Sequence, residues 1–213
     1  MSSRKKLIRF AETKNMPCII QGDNIVIQTG LAPIFSSNKE IILELGCGNG
    51  AYALALAERN PDKICIGVDI QGERLWYGAK NVQEKKINNV YFLRVMVDSL
   101  EKYFIPHSIS EIWITFPDPF PRDKQERKRL VHAKFLAMYK RLLKKGGVIH
   151  LKTDNDGLFE YGLESINNWG GTVLQCTQKV PDNLPEINIL SIQTYFETKH
   201  RQLGKAIHYL RFC

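Results

Sequence analysis

The chain has no apolar run approaching the roughly 18 residues that a membrane span needs. Its start, Met1-Ser2-Ser3-Arg4-Lys5-Lys6, leads into no signal-peptide core. The cysteines, Cys18, Cys47, Cys65, Cys176 and Cys213, contain no C-x-x-C pair, and several lie in apolar runs, which argues for reduced thiols over zinc or disulfides. The histidines, His107, His132, His150, His200 and His208, show no ligand spacing, so no metal is expected. Repeats, low-complexity tracts and a second-domain boundary are missing as well. These absences point to one cytoplasmic domain with no membrane partner, and they leave monomer and homodimer both open.

What is present is basic. Lysine and arginine number 30 against 22 acids, a formal charge of +8 that favours a polyanionic partner. With 213 residues and a hydrophobic share of 44%, the chain can bury a large core. From residue 41 onward short β-rich runs alternate with helical patterns, the signature of a mostly parallel sheet covered on both faces. The runs predict strands near 41–45, 64–69, 90–95, 111–116, 147–153, 172–178 and 205–212, seven in all, with helices near 132–144 and 157–168. The first of these helices carries a core stripe of Phe135, Met138, Tyr139, Leu142 and Leu143, and should stop at Lys144-Lys145-Gly146-Gly147. Residues 1–38 read as an irregular basic segment ahead of the regular domain 39–213.

Two places carry chemistry. The first strand ends in Glu44-Leu45-Gly46-Cys47-Gly48-Asn49-Gly50 and runs into a helix; glycines there let the backbone turn tightly and approach a ligand. Asp69, at the end of the second strand, can accept both ribose hydroxyls of a nucleoside cofactor. The spacing is not the G-x-G-x-x-G of dinucleotide sites. Glu44 would repel a pyrophosphate and suits a cationic donor, a requirement that S-adenosyl-L-methionine meets. The second place is Phe116-Pro117-Asp118-Pro119-Phe120-Pro121, a proline-stiffened turn expected to hold a buried or half-buried acid. Arg122, Lys124, Arg127, Lys128 and Arg129 follow at once. Cations at a helix start oppose its dipole, which favours phosphate contacts for them; a solvated charge run is the plainer alternative.

With Lys152-Thr153-Asp154-Asn155 and Thr194-Tyr195-Phe196-Glu197, these motifs in order resemble the bacterial tRNA (guanine-N7-)-methyltransferase family. The resemblance implies a single Rossmann-like class I methyltransferase domain over 39–213, with S-adenosyl-L-methionine as donor and a variable-loop guanine of tRNA as acceptor. It implies donor contacts at Glu44, Gly46, Gly48, Asp69, position 96 and Asp118, with Asp118 also catalytic. Arg122, Asp154 and Thr194, Tyr195, Phe196 and Glu197 correspond to substrate-binding positions, and Lys124 to Arg129, including Arg127 and Lys128, to a stretch that meets RNA. Two positions depart from the pattern. Phe120 replaces a tryptophan, and Met96 stands where the family has Asp or Asn against the adenosine, with Asp98 two residues away as a second candidate.

The chemistry suits acids. Guanine N7 already holds a lone pair, so alignment supplies much of the acceleration, and a carboxylate accepting the purine N1 and N2 protons gains strength as positive charge develops. Asp118 and Asp154 are the candidates. Asp154 alternatively caps the following helix, and Tyr195 and Phe196 either stack on a flipped base or belong to the core of a β-rich tail. Rival readings are an exocyclic-amine methyltransferase, suggested by Asp118-Pro119-Phe120, and an inactive RNA binder with the same fold, suggested by Met96.

Overall fold

The computed structural model describes residues 3–213, with side chains from residue 6 onward; Met1 and Ser2, the head of the basic start, lie outside the described residues. Eight strands follow in chain order: β1 (Ile19–Ile20), β2 (Ile41–Leu45), β3 (Ile64–Val68), β4 (Val90–Leu93), β5 (Ile109–Thr115), β6 (Leu143–Thr153), β7 (Val173–Thr177) and β8 (His208–Phe212). They form one sheet in the order β1-β4-β3-β2-β5-β6-β8-β7. β8 runs antiparallel to β6 and to β7; the other pairings are parallel. Seven α-helices accompany them among the described residues: α1 (Ser3–Glu12), α2 (Asn24–Ser36), α3 (Ala51–Arg59), α4 (Gly72–Lys85), α5 (Ala133–Leu142), α6 (Asp156–Trp169) and α7 (Tyr195–Gln202).

The continuous apolar runs of the central strands have the reason expected of a sheet covered on both faces. Leu43, Leu45, Ile66 and Ile112 pack in one cluster with Leu31 of α2, Phe135 and Tyr139 of α5 and Ile166 of α6. Ile42, Cys65 and Trp113 pack in the other with Tyr52 and Leu56 of α3 and Leu75 and Ala79 of α4. Period-2 alternation therefore puts Glu44 on the α3 side, buried at 2% exposure.

All seven expected strands are present, and β1 adds an eighth by pairing with β4 (Ile19 with Phe92, Ile20 with Leu93). Residues 3–38 are accordingly largely regular where the segment 1–38 was expected to be irregular. A two-residue strand has no alternation to read, and α2 buries Ile27, Leu31 and Ile34 while exposing Ile25 and Val26, which blurs its stripe. α2 is capped by Asp23, whose Oδ1 accepts the Val26 amide at 3.0 Å. A further correction concerns α5, which ends at Leu142. Leu143 and the Lys144-Lys145-Gly146-Gly147 stop open β6 instead, with a register shift where Ile109 pairs Leu143 and Glu111 pairs Val148. No helix among the described residues is long and apolar enough to cross a membrane.

Candidate active site

The parallel strands bring Glu44, Gly46, Gly48, Asp69, Met96, Asp118 and Asp154 to one carboxyl edge of the sheet, where β2 and β5 lie side by side and their onward chains diverge to opposite sides, the place where such sheets bind ligands. The loop after β2 holds Gly46, Gly48 and Gly50 at φ of 68°, 57° and 69°. A side chain at Gly50 would be strained and would meet Phe92 Cε1 at 2.2 Å, so this position admits only glycine. Gly50 also precedes α3 with no side chain to cap it. Glu44 supplies the cap from below: Oε2 accepts the Ala53 amide at 2.8 Å, and Oε1 accepts the Thr115 hydroxyl at 2.7 Å. Burial pushes the Glu44 carboxyl up to about 7, against the lowering effect of those two hydrogen bonds, and Asp69 adds to the rise. Asp69 ties the loop to the β3 tip, its Oδ2 accepting the Gly48 amide at 2.9 Å and its Oδ1 the Gln71 amide at 2.8 Å. Each oxygen keeps a lone pair for a hydroxyl.

At the β4 tip Met96 is 60% exposed. Asp98 is taken by Lys134 of α5 at 2.9 Å. The β5 tip carries the proline turn, which is stiffer than its prolines alone require, because Phe116 and Phe120 sit at φ of 48° and 43°. Bulky residues in this left-handed region cost on the order of 1–3 kcal/mol each, a strain that persists where the surroundings impose it. They are imposed here by the Phe116 amide donating to the Lys152 carbonyl at 2.7 Å and by the Arg129 guanidinium donating to the Phe120 carbonyl at 3.2 and 3.1 Å. Asp118, between the two strained residues, is exposed and has no hydrogen-bond or ion-pair partner among the described residues. The expectation of a buried or half-buried acid is thus corrected: prolines without amide protons leave little nearby to bury it against.

Asp154, one residue past β6, is drawn under α7. Its Oδ2 meets His200 Nδ1 at 2.7 Å and Lys205 Nζ at 2.7 Å. Burial would raise this carboxyl, but the Lys205 and His200 hydrogen bonds overcome it and hold it below the ordinary aspartate value. The capping alternative for Asp154 is excluded, since Asn155 Oδ1 accepts the Leu158 amide at 2.8 Å and caps α6. The 194–197 segment opens a helix where a β-rich tail was expected, with Thr194 Oγ1 capping α7 at the Glu197 amide, 3.3 Å away. Tyr195 (83% exposed) and Phe196 (45%) are outside the core. The Phe196 ring lies 5.2 Å from Phe116 and stacks on His200 at 4.0 Å, which joins α7 to the proline turn.

Besides Glu44, the candidates Glu197 and Arg129 are not surface groups. Glu197 is fully buried, bound to Lys152 at 2.7 Å and to Arg201 at 2.8 Å. Arg129 is half-buried between the Phe120 carbonyl and the Tyr161 ring, 4.3 Å away. Arg122, Lys124, Arg127 and Lys128 are exposed, with Lys128 over the Phe120 ring at 5.9 Å. Arg122 precedes, and Lys124, Arg127 and Lys128 belong to, a separate 3-10 turn, Asp123–Lys128, that carries Asp123 and Glu126 in its first turn, so the expected opposition to a helix dipole does not arise.

Sequence reasoning assigned no role to Lys152, Arg201, His200 or Lys205. A lysine directly after the strand-like run Val148-Ile149-His150-Leu151 is itself a signal, and Arg201 is four residues from Glu197, a readable helix pair. His200 and Lys205 carry no such signal, because the partner they share lies 46 and 51 residues away.

A family model described as "Putative methyltransferase" matches residues 38–210. The chain is 38% identical over 221 residues to the tRNA (guanine-N(7)-)-methyltransferase of Christiangramia forsetii, covering all of this chain and 99% of the relative. Among solved structures it superimposes on an antibiotic-related methyltransferase with a TM-score of 0.65 at 17% identity, covering 92% of this chain and 96% of that one. A SAM-dependent methyltransferase from Aquifex aeolicus gives 0.56 at 16% identity, with 95% and 97% covered. The fold is therefore the Rossmann-like class I methyltransferase fold, and the chain belongs to the tRNA (guanine-N(7)-)-methyltransferase family.

Proposed function

We propose that this protein transfers a methyl group from S-adenosyl-L-methionine to N7 of a variable-loop guanine in tRNA, in the cytoplasm. The observation that carries the reading is Asp118, left without a partner in a turn strained on both sides, beside a glycine cradle on the same sheet edge.

The cradle fits the donor. Gly46 and Gly48 leave the backbone open to a close approach, Asp69 keeps lone pairs for the ribose, and exposed Met96 offers the adenosine an apolar contact in place of a polar one. Glu44 is covered by its own loop, so it acts on the donor through charge and through the loop it supports. The bound donor supplies an electrophilic methyl group on a sulfonium.

On the acceptor side, Asp118 and the free Oδ1 of Asp154 accept the purine N1 and N2 protons as N7 becomes positive, Tyr195 and Phe196 supply stacking faces, and Arg122 contacts the substrate. Lys124, Arg127 and Lys128 meet phosphates, whereas Arg129 holds the turn that carries Asp118. The test is to incubate unmodified tRNA with labelled S-adenosyl-L-methionine and map the nucleoside: 7-methylguanosine from the variable loop is expected. Label on an exocyclic amine, or no label, overturns the reading.

A further inference from the structure

Lys152 and Glu197 carry opposite charges 2.7 Å apart at 0% exposure. Beyond its ion pair with Glu197 Oε2, the Lys152 ammonium donates to the Ile192 carbonyl at 2.9 Å and the Leu190 carbonyl at 3.2 Å. Glu197 Oε1 takes the forked Nε and Nη2 of Arg201 at 2.9 and 2.8 Å. Arg201 Nη1 continues to the Val180 carbonyl at 2.9 Å and to Asp182. One buried network thus joins β6, the segment 189–192, α7 and the chain at 180–182. Such a pair adds little stability over an apolar one, because desolvation opposes the attraction; its best-attested use is to specify one register.

The register it specifies is that of the acceptor wall. Lys152 lies two residues before Asp154, and Glu197 directly follows Tyr195 and Phe196. Phe196 in turn stacks on His200, which holds Asp154. We infer that Lys152, Glu197 and Arg201 are positioning residues that set α7 against the β6 tip, so that Tyr195, Phe196 and Asp154 form the wall receiving the acceptor base, while none of the three touches RNA. The inference deepens the tRNA-methyltransferase reading and rests on it.

Two measurements on Glu197→Gln decide it. Hydrogen exchange should show protection lost over 189–202 and kept in β2 and β3; unchanged protection over 189–202 overturns the lock. In methyl transfer, kcat/KM for tRNA should fall about ten-fold or more while the donor dissociation constant moves less than about two-fold, a split that general destabilisation would not produce. Phe196→Ala should be non-additive with Glu197→Gln, the double variant being no worse than Phe196→Ala alone; additive losses would mean that Glu197 acts independently of the wall and overturn the inference. If Glu197→Gln does not fold, Arg201→Lys, which keeps the charge and loses the fork, carries the same comparisons. Wild-type protein that labels no tRNA guanine sinks the underlying reading instead, and the exchange result then decides the lock alone.

Discussion

At the scale of single residues, the site is a set of carboxylates in three different environments. Asp118 is exposed and unpartnered, so Asp118→Ala should leave melting temperature within a degree or so while lowering methyl transfer by roughly 10² to 10³, the loss associated with one preorganised charged contact. Near-normal turnover on tRNA would remove it from the chemistry. Met96 presents an apolar tip where a hydrogen-bonding one would serve adenosine, and Asp98 cannot substitute without leaving Lys134. Met96→Asp should therefore tighten donor binding by about 0.5–1.5 kcal/mol in calorimetry. Glu44 is the buried extreme, raised from 4.5 to about 7. The folded state then binds the extra proton between those values, so this group lowers stability as pH rises from about 4.5 to 7, by on the order of 3 kcal/mol in full. Glu44→Gln should flatten that part of the melting-temperature profile. A cationic donor favours the ionised carboxylate, so wild-type donor affinity should rise with pH across the same window, and the variant's should not.

At the scale of elements, the turn 116–121 and the 3-10 turn Asp123–Lys128 divide the basic stretch by exposure, Arg129 being held against the first and Lys124, Arg127 and Lys128 lying exposed in the second. Exposed Lys124, Arg127 and Lys128 should each contribute about −0.7 to −0.9 to the slope of log tRNA affinity against log salt. Replacing any one by alanine should flatten the slope by that amount and leave donor affinity unchanged. Arg129→Ala should do the reverse, weakening methyl transfer through a released turn with the slope preserved; titrations from about 50 to 200 mM salt separate the two patterns. The five cations that follow Pro121 in close succession look alike in sequence. They differ because a guanidinium within reach of the Phe120 carbonyl and the Tyr161 ring is claimed by them, and Tyr161 comes from a helix 32 residues further on.

At the scale of the whole molecule, the +8 charge and the β-then-helix alternation were legible from composition and periodicity, and the seven main strands fall where their apolar runs predict. The glycine loop and Asp69 were legible for the same reason, since backbone conformation and strand ends are local properties. The eighth strand, the helical start, and the burial of Glu197 were not. β1 is two residues long and exists only through pairing with β4. Glu197 reads as a polar helix residue until Lys152, 45 positions earlier, is found beneath it. By itself the sequence determined the class of sheet, the cradle and the rigid acid-bearing turn, because spacing, φ preference and hydrophobic period act over a few residues. Only the tertiary structure decided which charges face solvent and which are consumed inside, because a charge's partner is chosen by proximity across the fold, and that distance has no counterpart along the chain.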